Sequence, residues 1–101
     1  MQVRARERLE LASALDAAIR RGEVEAAFQP IVTLQDGRVV KAEALARWTH
    51  PTRGPVPPGV FVPLAEELGL VEALGALMLR HACRQLRRWH DAGRAIGVTV
   101  N

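Results

Sequence analysis

The sequence predicts an α/β fold with its elements in the order α-β-β-α-α-β. Three observations carry this. Apolar residues recur at helical spacing near both ends of the chain, the period drops to two in between, and Pro and Gly mark the joins. In 101 residues there is room for one core but not two, so 1–101 is read as a single unit.

Residues from about 5 to 21 read as a helix, with Leu9, Ala12, Leu15, Ala18 and Ile19 forming an apolar stripe. Gly22 ends it, and Arg20 and Arg21 sit in the last turn, where the helix dipole favours cations. The next stretch alternates. Phe28, Pro30, Val32 and Leu34 fall on one face; Ala27, Gln29, Ile31 and Thr33 fall on the other. Pro30 cannot donate to a ladder, which places this strand at an edge or interrupts it. Gln35-Asp36-Gly37-Arg38 is a turn signal, and a second strand follows from Val39 to Trp48. Together they predict an antiparallel hairpin over about 25–48.

Residues 49–59 are rich in Pro and Gly and read as a loop. Helices are expected from Val60 to Leu68 and from Val71 to Asp91. In the longer one Leu74, Leu77, Met78, Ala82, Leu86 and Trp89 supply a wide apolar stripe, and Cys83 reads as a small core residue. A last strand is expected over about 96–101. In one sheet this crossover would be right-handed, and the two strands that it joins parallel.

Composition narrows the function. Fourteen basic against eleven acidic residues give a formal charge of +3, too small to argue for a nucleic-acid polymer. The cluster Arg80, Arg84, Arg87 and Arg88 reads as a solvated helix face, because no aromatics interleave it. One cysteine excludes an internal disulfide. No apolar run is long enough to span a bilayer and no signal-peptide core is present, so the expectation is a cytoplasmic segment without direct membrane contact, whose parent protein can still be membrane-anchored. His50, His81 and His90 show no metal-ligand spacing.

The second strand is the chemically informative one. Val40, Ala42, Ala44, Ala46 and Trp48 point one way, and Lys41, Glu43, Leu45 and Arg47 the other. At about 3.3 Å per residue, Glu43 and Arg47 lie roughly 13 Å apart, a span suited to two parts of one ligand. A carboxylate can hold a hard cation, and a guanidinium can grip a phosphate. Asn101, at the end of the last strand, offers an amide oxygen. On pattern alone, a solvated strand face and a strand-ending Asn are the favoured readings.

The wording of the sequence goes further. Phe28-Gln29-Pro30-Ile31-Val32, Asp36-Gly37-Arg38-Val39-Val40, Ala42-Glu43-Ala44-Leu45-Ala46-Arg47-Trp48 with His50-Pro51, Phe61-Val62-Pro63-Leu64-Ala65-Glu66, Cys83-Arg84-Gln85-Leu86 and Val98-Thr99-Val100-Asn101 resemble, in order and spacing, the opening part of an EAL domain. Phe28 stands where Tyr is usual, and Ala46 where a second Leu is usual. The resemblance implies a partial TIM-like (βα) barrel whose first strand runs antiparallel. It implies a parent that hydrolyses cyclic di-GMP to linear pGpG with a pair of Mg²⁺ or Mn²⁺ ions. Glu43 and Asn101 would be metal ligands and catalytic; Gln29, Leu45 and Arg47 would bind the dinucleotide. The family's later ligands are absent from these 101 residues, and a complete barrel needs about 250 residues. The expectation is therefore a truncated domain, inactive alone, with a non-catalytic binding or interaction module as the alternative and a homodimer left open.

Overall fold

The computed structural model describes residues 4–100. The elements run α1 (Ala5–Arg20), β1 (Glu25–Val32), β2 (Val39–His50), β3 (Gly54–Val56), α2 (Pro58–Glu67), α3 (Val71–Asp91) and β4 (Gly97–Val100). The strands form one open, mixed sheet. β2 pairs antiparallel with β1 and β3, and parallel with β4.

Each helix end has a local cause. α1 stops at Gly22, whose φ of 70° admits the left-handed turn. There the Glu23 N–H donates to the Ala18 carbonyl at 2.7 Å. α2 begins at Pro58, whose ring fixes a helical φ where no intrahelical donor is needed. It therefore starts two residues before the sequence pattern indicated. The β1–β2 turn is fastened by Asp36, which accepts from the Thr33 hydroxyl and, at 3.1 Å, from the Arg38 N–H. These bonds, the Thr33 hydroxyl first, hold the Asp36 carboxyl below its ordinary pKa.

The helices lie on one face of the sheet. Leu11, Leu15, Ala18 and Ile19 of α1, Phe61, Leu64 and Ala65 of α2, and Leu74, Leu77 and Met78 of α3 close over Ala44 and Trp48 of β2. Phe61 is fully buried, and its ring meets Trp48 edge-on at 6.0 Å. Trp89 meets Phe28 in the same way at 5.8 Å and seats α3 on β1. His81 of α3 ties the residue just before β1, its Nε2–H donating to the Val24 carbonyl at 3.0 Å.

Four expectations are corrected. Leu9 is exposed while Leu11 is buried; the two lie about 200° apart around the helix, and the core selects the Leu11 side. Leu34 is fully exposed in the turn, because the ladder becomes irregular between Ile31 and Val32 and β1 ends there. The 49–59 segment contains β3: Gly54 turns the chain back at φ 79°, and His50 Nδ1 accepts from the N–H groups of Thr52 and Arg53, each at 3.2 Å. Cys83 is exposed, since it falls one step round α3 from the buried Ala82.

Candidate functional site

The strand register brings the polar side chains of the sheet together. Glu43 of β2 is the Cα partner of Gln29 on β1 and of Thr99 on β4. Partners across a ladder project from the same side of a sheet. Gln29, Glu43 and Thr99 therefore make one row across three strands. The neighbouring rows are Ala27 beside Leu45 and Glu25 beside Arg47. All of them lie on the face opposite the helices, whose side of the sheet carries Ala26, Phe28, Ala44, Trp48, Val98 and Val100.

The sequence folds this way because the helix-facing positions are small or apolar. Ala42 and Ala44 are buried beneath the helices, and Glu43 between them is turned outward and half-buried. Gln29 and Arg47 are exposed. Arg47 makes no ion pair with any described residue, although Glu25 stands directly across the ladder. Leu45 and Arg47 also border a cleft of about 570 Å³ between β2 and the α2–α3 pair, lined further by Val62, Leu74 and Met78 and by the carboxylate-bearing Glu66.

Four of the five sequence-predicted site residues thus lie on one strand pair and one face: Gln29, Glu43, Leu45 and Arg47. The fifth, Asn101, lies outside the described residues. Thr99 was missed as a site neighbour. Strand alternation put it on the polar face of β4, but only the parallel register aligns it with Glu43.

The donor set on the row is a carboxylate, an amide oxygen and a hydroxyl. Such hard oxygens fit Mg²⁺ or Mn²⁺ and not a thiophilic metal. Among the described residues no group of three His, Cys, Asp or Glu side chains could hold a metal by itself. No described helix is long and apolar enough to cross a membrane.

The family model described as "EAL domain" matches residues 12–101. The bifunctional diguanylate cyclase/cyclic di-GMP phosphodiesterase MucR of Pseudomonas aeruginosa is 42% identical over 95 residues, which are 94% of this chain and 14% of MucR. The cyclic di-GMP phosphodiesterase NbdA of the same organism is 44% identical over 100 residues, 98% of this chain and 13% of NbdA. Among solved structures, the MucR phosphodiesterase in complex with c-di-GMP superposes with a TM-score of 0.84 at 41% identity, over 91% of this chain and 38% of that one. The EAL domain of Pseudomonas aeruginosa FimX bound to c-di-GMP gives 0.73 at 25% identity, over 90% of this chain and 36% of that one. The chain thus spans a small part of these curated relatives and little more than a third of the solved domains.

Proposed function

The chain belongs to the EAL domain family, and from that premise we propose that it supplies the first part of the site of a cytoplasmic phosphodiesterase that opens cyclic di-GMP to linear pGpG. The observation that carries the reading is the alignment of Gln29, Glu43, Leu45 and Arg47 on the one sheet face that the helices leave uncovered. Two relatives, 42% and 44% identical to this chain over the matched residues, are named as cyclic di-GMP phosphodiesterases.

In this reading the sheet is the opening portion of a TIM-like (βα) barrel, and the uncovered face is its interior. Glu43 and Asn101 hold the cations through oxygen. Arg47, with no ion-pair partner among the described residues, grips a phosphate of the dinucleotide through its planar fork. Gln29 and Leu45 border the nucleotide, one by hydrogen bonding and the other by apolar contact. A pair of Mg²⁺ or Mn²⁺ ions, when bound, supplies activation of the attacking water and stabilisation of the leaving oxygen.

Among the described residues this face carries the carboxylates of Glu43 and Glu25, too few to hold two divalent cations, so the isolated chain is expected not to turn over. The test is to incubate the purified 101-residue chain and the full-length protein with cyclic di-GMP and Mn²⁺ and to follow pGpG. Product from the full-length protein alone agrees with the reading. Product from neither removes the activity, and product from the isolated chain removes the claim that it is incomplete.

A further inference from the structure

Arg47 stands where one ladder of β2 ends and another begins. Its partner Glu25 is the first residue of β1, so the β1 ladder stops at this pair. From Trp48 onward β2 pairs with β3, Trp48 with Val56, Thr49 with Pro55 and His50 with Gly54. Among the described residues β4 reaches only from Lys41 to Ala44 of β2. The part of β2 that follows Arg47 is therefore held by β3. That strand has three residues, and two of them, Gly54 and Pro55, are poor strand formers.

The His50 ring closes β3 onto β2. Its Nδ1 accepts from the N–H groups of Thr52 and Arg53, each at 3.2 Å, and the Thr52 hydroxyl lies 3.3 Å from the same nitrogen. A ring nitrogen that accepts N–H bonds carries no proton, so the neutral ring bears its proton on Nε2. The same ring meets Trp48 edge-on at 5.9 Å, and Trp48 is the buried residue next to Arg47. An ion pair from Arg53 to Glu10 fastens the turn to α1.

We propose that His50 is a positioning residue for Arg47. By gathering the N–H groups of its turn, it keeps β3 paired beyond the end of the β1 ladder and so fixes the direction in which Arg47 leaves the sheet. The inference rests on the reading of Arg47 as a phosphate ligand. The acceptor can be separated from the ring. Phenylalanine keeps a ring against Trp48 and removes the acceptor. Asparagine removes the ring and keeps an oxygen that accepts from N–H groups farther along its own turn.

The experiment is calorimetric titration of the full-length protein with cyclic di-GMP, with a chelator present so that no metal-dependent turnover consumes the ligand. The variants are His50→Phe, His50→Asn, Arg47→Ala and the double variant Arg47→Ala/His50→Phe, each with its thermal unfolding midpoint recorded. His50→Phe is expected to weaken binding about fivefold, less than the about tenfold to hundredfold loss in Arg47→Ala. His50→Asn is expected to stay close to wild type, and the double variant to bind as Arg47→Ala does. Wild-type affinity in Arg47→Ala would overturn the phosphate reading, and this inference with it. A loss in Arg47→Ala with wild-type affinity in His50→Phe would overturn the role of His50 alone. Equal weakening in His50→Asn and His50→Phe would also overturn it, as would a further loss in the double variant, since His50 would then not act through Arg47. Nitrogen NMR of the wild-type imidazole needs no variant: a neutral ring with its proton on Nε2 is expected, and a proton on Nδ1 would overturn the role.

Discussion

Arg47 and Glu25 are direct partners across the β1–β2 ladder and project from the same face of the sheet, yet no ion pair joins them. The guanidinium is exposed and its five donors stay available for an external anion. Partly desolvated phosphate contacts of this type are worth about 1.5–3 kcal/mol.

Replacing Arg47 by Ala should therefore weaken cyclic di-GMP binding by the full-length protein about tenfold to a hundredfold, with the fold unchanged. Lys at this position should recover only part of the loss, because a point charge does not reproduce the bidentate fork. Titration at several salt concentrations checks both, and the wild-type affinity should fall as salt rises.

The core makes a separate prediction. Phe61 is fully buried and meets Trp48 edge-on, between α2 and the end of β2. Phe61→Ala should destabilise the fold by about 3–5 kcal/mol, and Phe61→Leu by less, since Leu refills much of the cavity. Denaturant unfolding followed by Trp fluorescence measures this. Equal losses for the two variants would show that the volume at this site does not govern the packing.

The hairpin turn should respond to pH through Asp36. The Thr33 hydroxyl and the Arg38 N–H favour the ionised carboxylate, so its folded pKa is lowered. A lowered folded pKa means that the contribution is present above the unfolded aspartate value and disappears as pH falls through the folded one. Carboxyl NMR titration should find the Asp36 midpoint below the ordinary aspartate value. Thr33→Val should move that midpoint up. A midpoint unaffected by Thr33→Val would show that the hydroxyl bond is not the main cause.

Much of the fold was legible in the sequence where one period dominated. The alternation through Val40, Ala42, Ala44, Ala46 and Trp48 named the helix-facing side of β2, and the structure buries Ala42, Ala44 and Trp48. The stripe of α3 from Leu74 to Ala82 was legible for the same reason. Features decided by contacts between distant segments were not. Leu9 and Leu11 are equally apolar, and only the packing of α1 distinguishes them. β3 has three residues, two of them Gly and Pro, and exists because the His50 ring gathers the backbone N–H groups of its turn. In the site, the shared face of Glu43 and Arg47 follows from alternation within one strand. The rows that set Gln29 and Thr99 beside Glu43 depend on pairing register, which a single strand does not encode.

Glu43 is the residue on which the functional account depends, because the proposed cation site is built around its carboxylate. The most direct measurement is the rate of pGpG formation from cyclic di-GMP by the full-length protein with Mn²⁺, comparing wild type with Glu43→Gln. The substitution keeps the size but removes the charge and turns one acceptor oxygen into an amide donor. The account predicts turnover by wild type and a loss of more than about a hundredfold in Glu43→Gln, beyond the effect of losing a mere supporting contact. Equal rates in the two proteins, at the same unfolding midpoint, would contradict it.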